Sequence, residues 1–185
     1  MNNQNKNIDT NGGYKPEDAV WHAYSPKLCL AIMEFFQKEI PIIDLGCGLN
    51  NYISIMNSLG YNGFGVDKLD LGSKYFIKCD LSKPLQLNGR HNVISFEVGE
   101  HLPSEYADAY LDNLTSFNGD IIMSWAIPGQ AGIGHINCQS NEWVIEQMAK
   151  RGYKYNVVKS HQLRVAVSDC HCSWFVNTLM YFEHE

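Results

Sequence analysis

The chain has 185 residues, of which 45% are hydrophobic and 18% charged, and its formal net charge is -6 with a pI near 5.6. This length allows one domain with a full core and is too short for two ordinary domains. The basic residues are scattered through an acidic chain, so the positive surface needed for sequence-independent nucleic-acid binding is not expected. No apolar stretch reaches the length of a membrane helix, and the polar start has no signal-peptide core, which predicts a soluble cytoplasmic protein without a membrane partner.

The cysteines argue against a disulfide framework. Cys29, Cys47 and Cys79 lie in apolar helix or strand patterns, which favours reduced thiols. Cys170-His171-Cys172 contains candidate zinc ligands, but its C-x-C spacing differs from the usual C-x-x-C pair. No metal site is therefore predicted.

The pattern of apolar and turn residues predicts alternating helices and strands after a short arm. Residues 1–13 are rich in Asn, Gln and Gly without apolar periodicity, so they are predicted to form a flexible arm before a single domain at 14–185. Ser25-Pro26 is typical of a helix cap followed by proline at the first helical position, and Gly60 is placed to end a second helix. The first half is predicted to contain helices at 25–39 and 53–59 and strands at 40–45, 61–66, 75–77 and 93–96.

The second half continues this alternation, with less distinct elements in its tail. Helices are predicted at 107–114 and 143–149, with a strand at 121–125 between them. In the tail, Tyr155–Val158 is predicted as a strand, Leu163–Val167 as a helical turn and Trp174–Phe182 as a longer strand. Strands that alternate with helices favour an α/β fold, with a doubly wound, mostly parallel sheet and helices on both faces.

Each of the first four predicted strands delivers an acidic residue to its carboxyl end. These acids are Asp44, Asp67, Asp80 and Glu97. In an open α/β sheet, ligands bind outside the carboxyl ends of the strands, where the strand order reverses. The turn after the first strand also contains Gly46 and Gly48, which permit a tight turn and a close approach of the backbone to a ligand. Simpler structural roles also fit, because Asp44 can cap the turn, Asp80 can cap a helix and Glu97 can be a strand-end acid.

Asp67 lies about twenty residues beyond the glycine turn, which suits an acid that accepts hydrogen bonds from two ribose hydroxyls. This arrangement serves NAD and S-adenosylmethionine (SAM) equally. A dinucleotide fingerprint requires a third glycine two residues beyond Gly48, and Asn50 stands there instead. The pyrophosphate cradle is therefore incomplete, and an NAD-dependent oxidoreductase is kept only as a second alternative.

Four motifs, taken in order, resemble those of the class I SAM-dependent methyltransferases. Asp44-Leu45-Gly46-Cys47-Gly48 resembles their first motif, and Gly65-Val66-Asp67 is similar to their second. Cys79-Asp80-Leu81 resembles the next, and Ser95-Phe96-Glu97-Val98-Gly99-Glu100-His101-Leu102-Pro103 is similar to the stretch at the fourth strand that lines the methionine end of the cofactor. The resemblance covers roughly residues 40–125. It implies a Rossmann-like sheet of about seven strands, the last of which is antiparallel.

The resemblance implies SAM as the cofactor and S-adenosylhomocysteine (SAH) as its product. Asp67 is then expected to bind the ribose, Asp80 to approach the adenine amino group, and Asp44 to attract the ammonium and sulfonium charges. The SAM carboxylate would face the amides after Gly48. The predicted cofactor-binding residues are Asp44, Gly46, Cys47, Gly48, Asp67, Lys68, Asp80, Leu81, Glu97 and Val98.

Methyl transfer is an in-line displacement at a carbon activated by positive sulfur, so the protein mainly aligns the acceptor and excludes water. A hydroxyl or amine acceptor would be helped by a base, and histidine suits that role near neutral pH. His101 after the fourth strand and His135 in the glycine-rich loop Pro128–Asn137 are the predicted catalytic residues, although each also fits a loop or capping role. Further candidates for closing the pocket, each of which fits packing in the core or on the surface better, are Tyr14, Trp21, His22, Tyr24 and Trp125.

These features predict a SAM-dependent methyltransferase that acts on an oxygen or nitrogen nucleophile. The stretch Glu97-Val98-Gly99-Glu100 differs from the Asn/Asp-Pro-Pro-Tyr/Phe stretch that resembling nucleic-acid base methyltransferases carry. Together with the acidic pI, this difference favours a small-molecule or metabolite acceptor. The first alternative is a non-catalytic sensor or partner subunit that binds SAM or SAH and lacks an acceptor pocket.

Overall fold

The computed structural model describes residues 24–69, 72 and 74–184. The arm predicted at 1–13 and the pocket-closing candidates Tyr14, Trp21 and His22 lie outside the described residues. The helices are α1 (Pro26–Phe35), α2 (Asn51–Ser58), α3 (Ala107–Thr115), α4 (Asn141–Ala149), α5 (Val157–Ala166) and α6 (Phe175–Thr178). The strands are β1 (Ile42–Leu45), β2 (Gly63–Asp67), β3 (Phe76–Lys78), β4 (His91–Ser95), β5 (Asn118–Met123), β6 (Tyr153–Tyr155) and β7 (Met180–His184).

Within the described residues, seven strands form one sheet in the order β3-β2-β1-β4-β5-β7-β6. The first five strands of the chain pair in parallel, whereas β7 is antiparallel to both β5 and β6. The strand order reverses at β1, because β2 pairs with one side of it and β4 with the other. This arrangement confirms the predicted doubly wound, mostly parallel α/β sheet and its antiparallel last strand.

Two apolar cores cover the two faces of the sheet. Successive residues of a strand point to opposite faces, so Ile42 packs in the core with α1, α2, α5 and α6, while Ile43 packs in the core with α3 and α4. All four residues of β1 are buried, which explains why this strand is an apolar run rather than an alternating pattern. Ligands are therefore confined to the edge where the strands end.

Local sequence signals explain where the first two helices begin and end. Ser25 Oγ accepts a 3.2 Å hydrogen bond from a backbone N–H in the first turn of α1. The helix ends at Phe35, before the predicted Glu39, because Phe36 takes an extended conformation (φ −96°, ψ 124°) and packs into the core. Gly60 follows α2 with φ +89°, the left-handed conformation that ends many helices.

The chain after β6 forms a helix, and the strand predicted at Tyr155–Val158 is wrong beyond its first residue. Asn156 Oδ1 accepts a 2.9 Å hydrogen bond from a backbone N–H in the first turn of α5, which caps this helix. Val157 is 65% exposed, so its β-branched side chain does not pack as that of a buried strand residue would. The helical turn predicted at Leu163–Val167 is the C-terminal part of α5 and its cap.

The strand predicted at Trp174–Phe182 is also wrong in its first half. The segment begins as the short helix α6, and β7 starts only at Met180. The Leu179 backbone N–H donates a 3.2 Å hydrogen bond to the Phe175 carbonyl, and both side chains are fully buried. An extended chain would hold these two side chains roughly 13 Å apart. The helix instead brings them into the same core, which decides the local structure.

In the part of the chain that the structure describes, no helix is both long enough and apolar enough to cross a membrane. All six cysteines lie among the described residues, and each is a free thiol, in agreement with the prediction.

Candidate active site

The carboxyl ends of β1, β2 and β4 surround a cavity of about 310 Å³, a volume typical of small-molecule sites. The cavity lies where the strand order reverses, which is the position at which open α/β sheets bind ligands. Both predicted catalytic histidines and all of the predicted cofactor-binding residues except Gly48 line it. These lining residues are Asp44, Gly46, Cys47, Asp67, Lys68, Asp80, Leu81, Glu97, Val98, His101 and His135.

The turn after β1 approaches the cavity with its backbone. Gly46 has φ +85°, a left-handed conformation that residues with side chains rarely adopt. A Cβ atom at this position would lie 2.3 Å from Cγ2 of Val98, in the segment after β4. Gly46 is therefore required by the backbone conformation and also by the close packing of the two segments.

Asp67, at the end of β2, is hydrogen-bonded to this turn. Its Oδ2 accepts a 2.9 Å hydrogen bond from the Gly48 backbone N–H, and its Oδ1 accepts one of 2.9 Å from the Leu69 backbone N–H. Gly48 thus contributes to the site through its amide, although it does not line the cavity. Because a carboxylate accepts about four hydrogen bonds, Asp67 keeps acceptor sites for a ligand.

Asn50 supports the turn in a way that is not predicted from the sequence. It has a left-handed φ of +58°, and its Nδ2 donates hydrogen bonds to the carbonyls of Lys74 (3.1 Å) and Tyr75 (3.3 Å). These bonds tie the turn after β1 to the segment before β3. Gly65 in β2 makes room for this packing, since a Cβ there would lie 2.3 Å from Oδ1 of Asn50. Asn50, which stands where a dinucleotide-binding fingerprint has its third glycine, therefore stabilises the turn through its side chain.

Asp80, just beyond β3, has a local hydrogen-bonding role as well as a place in the cavity wall. Its Oδ1 accepts hydrogen bonds from the Ser82 backbone N–H (3.1 Å) and the Ser82 hydroxyl (2.6 Å). Lys83 Nζ lies 3.9 Å from its Oδ2. Asp80 thus stabilises a local turn, and the helix cap considered for it is wrong because no helix begins there; the side chain still lines the cavity.

The cavity wall is acidic. Among the described lining residues, Asp44, Asp67, Asp80 and Glu97 contribute four carboxyl groups and Lys68 is the one lysine. Asp44 is 2% exposed. Burial, together with the nearby charge of Asp67, raises the pKa of its carboxyl well above the ordinary value. Such a wall attracts cations and repels phosphate groups.

Glu97 follows β4 with a left-handed φ of +54°. Both of its side-chain oxygens accept hydrogen bonds. Oε1 accepts a 2.8 Å hydrogen bond from the Ser124 hydroxyl, and Oε2 accepts one of 2.6 Å from the Gln130 side-chain amide. Ser124 follows β5 and Gln130 lies in the glycine-rich loop, so Glu97 joins the two strand ends to this loop. Burial raises the pKa of Glu97 despite these hydrogen bonds.

Glu100 and the two predicted histidines come together at the same wall. Glu100 is fully buried, and its Oε1 lies 3.9 Å from Nε2 of His135. The ring centroids of His101 and His135 are 5.2 Å apart. Nδ1 of His101 lies 3.2 Å from the Gly134 carbonyl oxygen, and Nδ1 of His135 lies 3.1 Å from that of Gln130. The two predicted histidines thus lie side by side in the structure. Glu100, which is not among the residues predicted from the sequence, lies next to them.

Burial also sets the ionisation of this group of residues. It raises the pKa of Glu100 well above its ordinary value, and the neighbouring charge of Glu97 adds to this effect. It lowers the pKa of His135, so this imidazole is neutral at physiological pH. A neutral imidazole keeps a lone pair on one ring nitrogen, which suits a base or a metal ligand.

Solved structures of similar shape are found among SAM-dependent methyltransferases. A TehB-like SAM-dependent methyltransferase from Corynebacterium glutamicum is 15% identical, with a TM-score of 0.66 over 91% of this chain and 93% of that chain. Magnesium protoporphyrin IX methyltransferase from Synechocystis, solved with bound SAH, is 15% identical, with a TM-score of 0.59 over 85% of this chain and 80% of that chain. The 1,6-didemethyltoxoflavin-N1-methyltransferase from Burkholderia thailandensis is 12% identical, with a TM-score of 0.57 over 92% of this chain and 80% of that chain. The chain adopts the class I methyltransferase fold.

No protein-family model and no curated protein matches the sequence. At identities of 12% to 15%, the similarity to the three structures establishes the fold alone. The class I methyltransferase fold locates the cavity, and the residues that line it determine what the cavity binds.

In this class I methyltransferase fold, aromatic residues form one wall of the cavity. The ring of Tyr52 in α2 packs 5.0 Å from that of Tyr24 and 5.2 Å from that of Phe96. Phe96 in turn packs 5.9 Å from Phe175 of α6. Tyr24 is a predicted pocket-closing residue and lines the cavity. Phe96 lies in the stretch whose resemblance implied a place beside the cofactor, and it lines the cavity. Tyr52 and Phe175 line it without having been predicted, because their aromatic side chains fit the core pattern equally well.

Trp125 does not line the cavity, so the pocket-closing role considered for it is wrong, and its alternative role, packing in the core, is the one that the structure shows. It is fully buried, and its Nε1 donates a 2.7 Å hydrogen bond to the Asn137 carbonyl. A Cβ at Gly99 would lie 2.5 Å from its ring. Trp125 therefore packs beneath the turn that carries Glu100 and His101 and supports the site from the core.

Proposed function

We propose that the chain is a SAM-dependent methyltransferase whose acid-lined cavity binds SAM. The observation that carries this proposal is the convergence of Asp44, Asp67, Asp80 and Glu97 on one cavity at the carboxyl edge of the sheet. The fold supports it, since similar structures contain bound SAM or SAH. The proposed acceptor is a small molecule or metabolite with an oxygen or nitrogen nucleophile.

In this proposal, the hydrogen-bond donors and the positive groups of SAM meet acidic residues of the cavity wall. The ribose hydroxyls donate hydrogen bonds to Asp67, whose carboxylate is already oriented by the Gly48 amide. The adenine amino group donates to Asp80. The ammonium and sulfonium groups are both positive and are attracted by Asp44 and Glu97. A cofactor with net positive charge therefore compensates the carboxylates of the wall.

An NAD-dependent oxidoreductase fits this cavity less well. The pyrophosphate of NAD is negative, so the acidic wall would repel it. The Gly48 amide, which a pyrophosphate would need, is bonded to Asp67, and Asn50 occupies the place of the third glycine. The antiparallel β7 between β5 and β6 also differs from the strand order of dinucleotide-binding domains. These observations support SAM over NAD.

Methyl transfer requires the protein to place the acceptor atom in line with the bond between sulfur and the methyl carbon. A bond forms between the acceptor oxygen or nitrogen and the methyl carbon as the carbon–sulfur bond breaks, and sulfur leaves as the neutral thioether of SAH. The acceptor loses its proton to a base or to solvent. We assign the acceptor to the side of the cavity lined by His101, Leu102, Ile133 and His135.

Ligand binding tests the cofactor part of the proposal. Isothermal titration calorimetry is expected to show binding of SAM and SAH and no binding of NAD. Binding of NAD without binding of SAM would contradict the proposal and favour the oxidoreductase.

Turnover tests the acceptor part. Incubation with methyl-labelled SAM and a fractionated metabolite extract is expected to transfer label to a small-molecule fraction. Label found only in nucleic-acid or protein fractions would contradict a small-molecule acceptor. Tight SAM binding without transfer to any fraction would support the sensor or partner-subunit alternative instead.

A further inference from the structure

Glu100, His101 and His135 lie together at the cavity wall, although they come from two separate segments. Glu100 and His101 belong to the 3-10 turn Gly99–His101 after β4, and His135 belongs to the glycine-rich loop after β5. One side-chain oxygen or nitrogen from each of the three residues lies within 4.8 Å of the other two. We refer to these three residues as the Glu-His-His cluster.

Among the described residues, no full positive charge lies against the buried carboxyl group of Glu100. Glu100 is fully buried, and neither of its side-chain oxygens makes a hydrogen bond of normal geometry with a described residue. Its polar contacts are with backbone and with the carboxyl of Glu97, and Nε2 of His135, at 3.9 Å from Oε1, is too far away for a hydrogen bond. A buried carboxylate without a counter-charge is costly, and such groups are normally paired or bound to a metal.

Backbone carbonyls orient both histidines of the cluster. Nδ1 of His101 lies 3.2 Å from the Gly134 carbonyl oxygen, and Nδ1 of His135 lies 3.1 Å from the Gln130 carbonyl oxygen. Because a carbonyl only accepts, the Nδ1 of each ring carries a proton, which fixes the orientation of the ring. In the neutral ring of His135 the lone pair is therefore on Nε2. Metal-binding histidines are held in this way, with the other ring N–H donated to a carbonyl or a carboxylate.

We propose that the Glu-His-His cluster binds a divalent transition-metal ion, with Glu100, His101 and His135 as its ligands. The ion supplies the positive charge that the buried Glu100 lacks and accepts the lone pairs of two imidazoles. Metal–ligand bonds of about 2.0–2.2 Å hold neighbouring ligand atoms about 3–3.6 Å apart. The ligand atoms of the cluster now lie up to 4.8 Å apart. Side-chain rotations that move these atoms by about an ångström bring them to the spacing that a metal ion requires.

The ligand types select the class of ion. Imidazole suits zinc and the other late first-row metals, whereas magnesium and calcium prefer ligand sets made only of oxygen. One carboxylate with two histidines is a ligand set of catalytic metal sites that keep open coordination positions. Zn²⁺ and Co²⁺ are therefore expected to bind more tightly than Mg²⁺.

The open positions of this ion face the cavity, because His101 and His135 line it and Glu100 does not. A further step rests on the proposed methyl transfer: an acceptor hydroxyl occupies an open position beside the methyl group. Coordination lowers the pKa of the hydroxyl, its proton passes to solvent, and the oxygen bonds to the methyl carbon as the carbon–sulfur bond breaks. The two histidines then act as ligands rather than as the general bases predicted from the sequence.

The test measures metal binding by the full chain after treatment with a chelator. Calorimetric titration with Zn²⁺, and visible absorption during titration with Co²⁺, are expected to show one bound ion per chain. Glu100→Gln and His135→Ala are expected to weaken binding by at least about tenfold. The matched controls are His161→Ala, which removes an exposed histidine of α5, and Cys170→Ser, which alters the Cys-His-Cys segment. Both controls are expected to bind metal as the wild type does.

Two results would overturn the proposal: no binding of Zn²⁺ or Co²⁺ by the wild type, or full affinity in Glu100→Gln. Loss of binding in Cys170→Ser alone would also overturn it and move the ion to the Cys-His-Cys segment. Added Zn²⁺ is expected to raise the Tm of the wild type and not that of Glu100→Gln.

Titration of the same samples with SAM separates this proposal from the proposed function. Binding of SAM without binding of metal overturns the metal site and leaves the methyltransferase. Binding of metal without binding of SAM overturns the methyltransferase and leaves the metal site.

Discussion

The backbone N–H of Gly48 donates a 2.9 Å hydrogen bond to Oδ2 of Asp67. This bond joins the glycine turn after β1 to the end of β2, so two parts of the proposed nucleoside site are held together without a ligand. The other oxygen, Oδ1, accepts a 2.9 Å hydrogen bond from the Leu69 backbone N–H. Asp67 therefore orients the turn and also offers its remaining lone pairs to the cavity.

Asp67→Ala is expected to weaken SAM binding at least tenfold, about 1.4 kcal/mol, because the ribose acceptor and the support of the turn are both lost. Asp67→Asn keeps an oxygen for the Gly48 amide and loses the charge, so its affinity is expected to be intermediate. Asp112→Ala is the matched control, since the Asp112 side chain is 69% exposed and pairs with Arg151. Calorimetry with SAM measures all three. Equal affinity in Asp67→Ala and the wild type would remove Asp67 from the site.

Gly46→Ala is expected to abolish SAM binding, because the new methyl group would displace Val98 at the cavity wall. Gly152→Ala separates this effect from backbone strain. Gly152 has φ +80°, similar to the +85° of Gly46, and a Cβ there would have no neighbour within 4 Å. Both substitutions are expected to cost about 1–2 kcal/mol of stability through strain. Thermal unfolding and SAM calorimetry are the measurements, and equal SAM affinity in the two variants would show that the Val98 contact is unimportant.

Asp44→Asn is expected to raise stability and to lower SAM affinity. Burial and the nearby Asp67 raise the pKa of Asp44, so its ionised form destabilises the ligand-free protein at neutral pH. The variant is therefore expected to be more stable by about 1–3 kcal/mol. It is expected to bind SAM less tightly because the ammonium and sulfonium groups lose a counter-charge. Urea unfolding and calorimetry at neutral pH measure the two effects.

The direction of the Asp44 shift also determines how this difference depends on pH. A carboxyl whose pKa is raised by folding binds its proton more tightly in the folded chain. Its stabilising contribution is fully present below the ordinary carboxyl pKa of about 4 and is lost as the pH rises through the raised folded-state pKa. The stability advantage of Asp44→Asn over the wild type is thus expected to shrink on acidification. An advantage that stays constant between about pH 4 and pH 8 would contradict the assigned cause.

His135→Ala is expected to reduce methyl transfer roughly 100-fold while leaving SAM affinity nearly unchanged, because His135 belongs to the acceptor side of the cavity. The rate is measured with the extract fraction that accepts label, and affinity by calorimetry. His161→Ala is the control, as its exposed side chain lies on α5, outside the cavity. An unchanged rate in His135→Ala would exclude His135 from the reaction.

Local patterns are sufficient to predict which acids line the cavity. Asp44, Asp67 and Glu97 lie at or just beyond the ends of strands whose apolar runs are clear in the sequence. Parallel strands bring their carboxyl ends to one edge of a sheet, so these acids converge once the strands are recognised. The conformation of Gly46 follows from the same reasoning, because a glycine at a sharp turn beside a strand commonly has positive φ.

The same patterns fail where packing or capping overrides local propensity. Val157 and Val158 are β-branched, which favours a strand, yet the Asn156 side chain caps a helix at this point. The apolar side chains of Phe175 and Leu179 also favour a strand, but a helix at this point places both side chains in the same core. In both cases the deciding interaction involves the side chain of a neighbour or the distant core, which propensity does not include.

Short-range sequence patterns account for the alternation of strands and helices, the glycine turn and the order of the acids at the strand ends. These features depend on backbone preferences and on the period of apolar residues, which act over a few neighbouring positions. The 3.9 Å distance between Glu100 and His135, next to the close packing of Gly99 on the buried ring of Trp125, arises only when the chain is folded. That contact joins two loops from different strands, and its geometry depends on how both loops pack against the core.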